Sequence, residues 1–540
     1  MSLRRVLFFI TVLCCCWDAT VASDFIPDPL PAYCNADYES VAIAPMSDSE
    51  MLQVTSLKQV LVMIRHGSRT PYAAGMACWE DYDVQWSDCN VTDLVLPSPA
   101  LYNYSSQARP ERWLFRLIYD AFPDQLGGNC MTGQLMHEGY LQEEANGKAL
   151  ADLYLNNANS SFNLFNTNNF DDIDQGELYL RSDDEQRTLM SGQILLSRFF
   201  NATHDNIVQW HTMDDAIDQI APNTQACPAL KGASAAAYAS SSFTAENTST
   251  STKDLTESLN GVWGEGAWSY YNCIDCIMTT LCTGRGIPSN NATGDAMTQQ
   301  LLTQAIDQAT YIYAYQALYN NSRYSKLGMG QTTWQMRTYI EGAVNNSEDA
   351  IKFGLWSAHD TSIMPFLAAL MGDSWDQQWA RYAAMVTIEL YESSSGGGDL
   401  FRMTYNGEAL AMPGCNNQTL CEVSVLLDLM AFGEEYMPCD YAPSGSPPSG
   451  PAEASSRPPT IDGIPLEGWV GLCFMSAFIG LCVGAGVMFF CAGGTGSNMG
   501  GYCGVGRSEE STHVTSGADG DKSDHRLGGT ANPVHIETSA

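Results

Sequence analysis

Three separated segments carry the residue types that could do chemistry. Arg65-His66-Gly67-Ser68-Arg69-Thr70-Pro71 sets an imidazole between two guanidiniums, and Arg181-Ser182-Asp183-Asp184-Glu185-Gln186-Arg187 adds two more. Ala358-His359-Asp360-Thr361 contributes a second imidazole with a carboxylate beside it. That inventory suits transfer of a phosphoryl group to a side chain. Arginine forks bind phosphate oxygens in pairs and neutralise the charge that spreads over them in the transition state. A neutral imidazole can attack phosphorus, and a protonated acid must supply the departing alkoxide with its proton. Asp360 would have to be protonated in the substrate complex, which an acidic working pH favours. These loops hold no cluster of metal ligands. Each residue alone also has a plainer role, since Asp360 or Thr361 could simply cap a helix.

The elements that must position these groups are also legible. Gln59–Ile64 is a short apolar, β-branched run, as expected of a strand buried on both faces. It stops abruptly at Arg65, where charged residues and a glycine turn lie at a strand's carboxyl end, the usual ligand side of an open α/β sheet. Glu177–Arg181 runs into the second loop and then an apolar helix at Thr188–Phe200. Ile351–Ser357 runs into the third loop and then an amphipathic helix through Met371. Ala384–Tyr391 and Leu400–Tyr405, separated by Gly396-Gly397-Gly398, predict a hairpin that gives the sheet an antiparallel edge. The small, Ser/Thr-rich stretch Gly232–Ser251 reads as a surface loop. His137 falls in a helix and reads as a surface or packing residue, and Arg181 as structural support.

Arg-His-Gly-x-Arg-x-Pro followed by a distant His-Asp resembles the histidine acid phosphatases. By residue usage the first motif alone arises by chance on the order of once in 10⁴ chains of this length. Arg181-Ser182 through Arg187-Thr188-Leu189-Met190-Ser191 resembles that family's middle arginine segment. Ser357–Thr361 resembles its proton-donor segment, and Met136–Tyr154 the long helix after its first loop. The resemblance implies His66 as the nucleophile, Asp360 as the proton donor, and Arg65, Arg69, Arg187 and His359 as phosphate-binding groups. It implies a phosphomonoester substrate and no metal or cofactor. Asp183, where many relatives carry Thr, departs from the pattern beside the site, with a bearing on substrate choice. The implied fold is α/β, phosphoglycerate-mutase-like: a mixed sheet with helices on both faces plus a smaller, mainly helical domain. Cys227 and Cys439 resemble one family disulfide, and Cys415 and Cys421 a local one. A third would join Cys273 to a strand where Met385 stands, so Cys273, Cys276 and Cys282 are left to Cys34, Cys78, Cys89 or Cys130.

Composition and the two ends speak to compartment. The 540 residues carry 25 Lys+Arg against 61 Asp+Glu, a net charge of −36, which excludes a nucleic-acid partner because phosphate neutralisation needs a basic surplus. Residues 1–23 have the basic start, apolar run and small-residue end of a secretory signal peptide. Residues 24–440 read as the phosphatase domain, with an α/β core at about 55–225 and 336–440 and a helical subdomain at about 226–335. Residues 441–466 form a Pro/Ser-rich stalk, 467–491 an uncharged span long enough for one transmembrane helix, and 492–540 a cytoplasmic tail. Nine Asn-x-Ser/Thr triplets, at Asn90, Asn103, Asn159, Asn201, Asn247, Asn291, Asn320, Asn345 and Asn417, all precede the span. Eleven of the 18 cysteines lie between the signal and the span, and an oxidising lumen favours disulfides among them.

The expectation is therefore a single-pass type I membrane glycoprotein. Tyr502 with Val505 resembles the sorting signal read by clathrin adaptors, which points to endosome or lysosome, with the cell surface as the alternative. Gly480-x-x-x-Gly484 allows a dimer. The competing class is a binding or structural module of the endocytic membrane built on a phosphatase fold. An inositol-polyphosphate phosphatase would want a basic rim that the acidic composition does not provide.

Overall fold

The computed structural model describes residues 25–71, 86–89, 126, 128, 130–202, 207–263, 270–290, 293–436, 439, 460–461 and 464–465. The signal peptide, the expected span, Tyr502 and Val505, Asn90, Asn103, Asn291 and Cys78 lie outside the described residues. Among the described residues no helix is long and apolar enough to cross a membrane. Residues 446–540 separate as a second unit, described only at the antiparallel pair Thr460–Ile461 with Ile464–Pro465.

In the first unit the pivot is β1 (Val54–Arg65), buried without a break from Gln59 to Arg65. It outruns the expected strand because its half-buried start, with two register irregularities, still pairs β4 (Met385–Ser393). β1 lies parallel to β3 (Phe353–Ala358), and β3 parallel to β2 (Leu178–Ser182). On its other side β1 pairs antiparallel with β4, and β4 with β5 (Leu400–Tyr405). With β6 (Glu408–Ala409) the order is β2-β3-β1-β4-β5-β6, and β7 (Leu420–Glu422) pairs β5 from off this path. The β4–β5 connection turns through Gly396 and Gly398, both at positive φ, where a side chain would be strained.

The strand period of two divides β1 between two cores. Val60, Val62 and Ile64 pack with Leu150 and Tyr154 of α1 (His137–Tyr154) and Leu195 and Phe199 of α2 (Gln186–Phe199). Leu61 and Met63 belong to the opposite core with the end of a long helix and α8 (Asp360–Met371). Helices therefore cover both faces of a mixed sheet.

Between α2 and β3 the chain is mainly helical: α3 (Ala229–Tyr238), α4 (Ser241–Asn247), α5 (Thr250–Trp263), α6 (Tyr270–Cys282) and α7 (Gln299–Val344). The stretch expected as a surface loop, Gly232–Ser251, is instead mostly helix. Its alanines are good helix formers, and Leu230, Ala233 and Ala237 share one buried stripe. The serines taken as loop signals serve as caps: Ser240 Oγ accepts from the Phe243 amide and Ser249 Oγ from the Thr252 amide. α7 breaks at Tyr319–Ser322, where Asn320, Asn321 and Ser322 are left-handed. Ser322 Oγ donates to the Ala368 carbonyl at 2.8 Å, fixing the break against α8, and beyond it α7 packs on the sheet core through Met336 and Ile340. Two short helices, α9 (Val423–Leu429) and α10 (Phe432–Tyr436), close the unit.

Four disulfides are described: Cys34–Cys282, Cys89–Cys130, Cys227–Cys439 and Cys415–Cys421, with Cα separations of 4.8–5.6 Å. Cys276 is disulfide-bonded as well.

One buried acid has a consequence for stability. Glu143 on α1 is fully buried, accepts from Asn146 Nδ2 at 3.0 Å, and leaves Oε1 without a hydrogen bond. Burial pushes its carboxyl well above the ordinary value, with no cation to counter it. The folded state thus holds this proton more tightly than the unfolded chain, so its stabilising effect is full below the unfolded value and fades as pH rises through the folded one. We expect Glu143→Gln to melt with the parent near pH 4 and to be the more stable near pH 7 by about 2 kcal/mol, read from denaturant midpoints. Equal midpoints at both pH values would refute it.

Candidate active site

The three loops meet at the carboxyl ends of β1, β2 and β3. The His66 amide donates to the Ala358 carbonyl at 2.9 Å, joining the end of β1 to that of β3, and the Ala383 amide donates to the His66 carbonyl. Gly67 lies so close to α1 that a Cβ there would sit 2.4 Å from the Gly139 carbonyl oxygen, so both glycines are needed for this approach. The loop's amides are tied down in turn: Gly67 N–H to Ser191 Oγ at 3.1 Å, Ser68 N–H to Gln142 Oε1 at 2.9 Å.

His66 is buried, and its Nδ1 lies 2.9 Å from the Gly67 carbonyl oxygen. A carbonyl only accepts, so Nδ1 carries the proton and Nε2 keeps its lone pair. Burial, then Arg187, Arg65, Arg69 and His359, hold its pKa well below the ordinary imidazole value. The ring therefore stays neutral, and a nucleophile, in acid.

Arg65 is locked. Its Nη1 donates to the Ala380 carbonyl at 2.8 Å and its Nη2 to Tyr33 Oη at 2.6 Å, while Tyr33 and Tyr382 lie against the guanidinium at 4.6 and 4.1 Å. Nη2 also lies 3.0 Å from Asp360 Oδ2. Asp360 accepts from the Thr361 amide and from Trp379 Nε1, each at 2.8 Å. Burial raises its pKa, but Arg65, Trp379, Arg69 and His359 outweigh that and hold it below the ordinary value. These groups thus keep Asp360 ionised.

Arg69 donates to the Thr70 carbonyl and pairs with Asp275 of α6 at 2.9 Å. Arg187 pairs with Glu185. His359 Nε2 lies 2.5 Å from Asp183 Oδ2, and its ring is 5.5 Å from that of His66. Asp183, Glu185 and His359 offer ligand atoms within 4.8 Å of one another, the described set able to hold a metal ion. Arg187 and the His359 N–H already engage these carboxylates.

The structure thus brings Arg65, His66, Arg69, Arg187, His359 and Asp360 into one pocket. Arg181, on β2, is instead buried against Asp218 at 2.6 Å and Gln335 at 3.2 Å. His137 is exposed at the start of α1 and stacks on Tyr140, and His211 stacks on Tyr179. Sequence reasoning missed Tyr33, Tyr382, Trp379, Glu185 and Asp275. Glu185 alone had a local signal, in its charged loop; Asp275 sat unnoticed between two cysteines. Chemically, the pocket can attack a tetrahedral phosphorus with Nε2, hold its oxygens with guanidiniums and shuttle a proton at Asp360.

Comparison with known proteins agrees with this chemistry. The family model of the histidine phosphatase superfamily (branch 2) matches residues 56–406. Counting factor 60 of Dictyostelium discoideum is 28% identical over 407 residues, 73% of this chain and 88% of its own. Lysophosphatidic acid phosphatase type 6 of Mus musculus is 23% identical, covering 69% of this chain and 84% of its own. Lysosomal acid phosphatase of Homo sapiens is 25% identical, covering 59% of this chain and 74% of its own.

Proposed function

The chain belongs to the histidine phosphatase superfamily, branch 2, and we propose that it is an acid phosphatase that hydrolyses phosphomonoesters through a phosphohistidine on His66. The observation that carries this is the state of His66: neutral in acid, its Nδ1–H fixed on the Gly67 carbonyl, and crowded by guanidiniums. Arg65, Arg69, Arg187 and His359 hold the phosphoryl oxygens, and those charges stabilise the transition state in place. Nε2 attacks phosphorus, the alcohol departs with a proton from Asp360, and water then releases phosphate with Asp360 taking a proton back. The negative charge of bound phosphate offsets Arg65 and Arg69, which weakens what otherwise keeps Asp360 ionised. A fold retained only as a binding module would have no need of the whole set, and none of these groups is missing.

The setting belongs to the same proposal: a type I glycoprotein with its catalytic part in an endosomal or lysosomal lumen, or at the cell surface. The six sequon asparagines among the described residues, Asn159, Asn201, Asn247, Asn320, Asn345 and Asn417, are all exposed. Disulfides are rare in reducing compartments, which supports a lumenal site. The anchor at 467–491 and adaptor binding through Tyr502 and Val505 rest on the sequence.

The test is phosphate release from p-nitrophenyl phosphate by the full-length protein in detergent, across acid to neutral pH, with and without a chelator. We expect turnover strongest in acid and unchanged by EDTA. A folded, glycosylated protein that releases no phosphate would overturn the reading.

A further inference from the structure

Every cationic group described in the pocket already has a carboxylate of its own. Arg65 has Asp360, Arg69 has Asp275, Arg187 has Glu185 and His359 has Asp183. Three guanidiniums and two imidazoles thus face four carboxylates. Even with one imidazole protonated, these groups sum to no net positive charge. Sites built for polyanions show the opposite balance.

Of these four carboxylates only Asp360 has a task in the reaction as written, and of the other three Asp183 is the one bonded to the phosphate-binding imidazole of His359. Its Oδ2 takes the Nε2–H of His359 at 2.5 Å, and its Oδ1 takes the Thr188 hydroxyl. A phosphoryl oxygen that uses the same N–H must displace Asp183 or lie beside its charge. The groups around it are Glu185 on its own loop, Arg187 and Thr188 at the start of α2, His359 just before α8, and Asp218 from the segment between α2 and α3. Burial raises its pKa, but His359, Thr188 and Arg187 outweigh that and keep it below the ordinary carboxylate value. Asp183 is therefore a fixed negative charge over the acid-to-neutral range. The substrate titrates in that range, its second phosphate ionisation lying at about pH 6.

We propose that Asp183 makes this site select the monoanion of a phosphomonoester over its dianion. The inference rests on the phosphatase reading above and narrows it to lightly charged esters, away from inositol polyphosphates. A dianion meets the full repulsion of Asp183, whereas a monoanion meets less and can donate its P–OH to the carboxylate. The balance of the chemistry agrees. A monoanion brings one proton. That proton passes to Asp360 and then to the leaving oxygen as the Nε2–P bond forms and the P–O bond breaks. A neutral alcohol and a phosphohistidine carrying the substrate's single negative charge result.

The experiment uses the full-length protein with phenyl phosphate, reading KM and kcat separately at about pH 4.5 and about pH 7, on either side of that ionisation. Asp183→Asn and Asp183→Thr should lower KM near pH 7 by about tenfold more than near pH 4.5. A KM ratio between the two pH values that neither substitution changes would overturn the proposal. A fall in kcat by the same factor at both pH values with that KM ratio unchanged is what mere support of His359 predicts, and it would overturn the proposal too. A second readout does not need turnover: binding of two tetrahedral anions of constant charge, perrhenate (one) and sulfate (two), followed by thermal shift. Both variants should gain affinity for sulfate about tenfold more than for perrhenate, and equal gains would refute the charge argument. If the wild type turns nothing over, the phosphatase reading fails while the anion experiment still decides the role of Asp183.

Discussion

His66→Ala should abolish turnover, with kcat lower by on the order of 10⁴-fold or more, while the protein still folds and binds sulfate. Alanine fits the buried space, and the imidazole makes one described hydrogen bond, to the adjacent Gly67 carbonyl, so little of the loop depends on it. Its amide and carbonyl bonds to Ala358 and Ala383 come from the backbone and survive the substitution. The loss is therefore chemical. A radiolabelled phosphomonoester, quenched in alkali after milliseconds, should leave base-stable label on the wild type and none on His66→Ala. Label retained by the variant, or turnover reduced less than tenfold, would mean that another group attacks phosphorus.

Asp360→Asn should produce a loss graded by leaving group. An alkyl phosphate needs a proton at the departing oxygen and should lose about 10⁴-fold in kcat/KM, whereas a nitrophenyl ester should lose about 10²-fold. The carboxamide keeps the carboxyl's shape, but its single oxygen can accept from only one of the two donors that Asp360 takes on separate oxygens, the Thr361 amide on Oδ1 and Trp379 Nε1 on Oδ2. It also leaves Arg65 without its anionic partner, so phosphate should bind at least as well. A plot of log kcat/KM against leaving-group pKa, shallow in the wild type and steep in the variant, is the expected signature. An equal loss across the series would reduce Asp360 to a holder of Arg65.

The strands that carry the site were legible because each combines a short apolar run, β-branched in β1, with an abrupt charged end. Burial on both sides of a parallel sheet forces both features. The groups that tune the site were not. Tyr33 and Tyr382 come from opposite ends of the chain to lie against Arg65, and Asp275 reaches Arg69 from the helical segment. Such pairs leave no periodicity, because they are made by the fold and not by neighbours in sequence. Asp183 could be read as a departure beside the site, but its hydrogen bond to His359 is made by the fold across 176 positions of sequence. The misread stretch 232–251 shows the opposite limit. Ser and Thr favour loops and helix caps alike, and only the buried stripe at Leu230, Ala233 and Ala237 separates the two.

The position of β1 has a consequence in time. It emerges early in synthesis, yet its two neighbours in the sheet are β3 and β4: Val60 pairs with Phe353 on one side and Glu389 on the other. Roughly 290 residues must follow before the first of them exists, and at 5–20 residues per second that takes on the order of 15–60 s. For that interval a strand that ends buried without a break from Gln59 to Arg65, with His66 at its end, has neither edge covered. The protein's yield in a cell should therefore depend on whatever shields this one strand until its partners arrive.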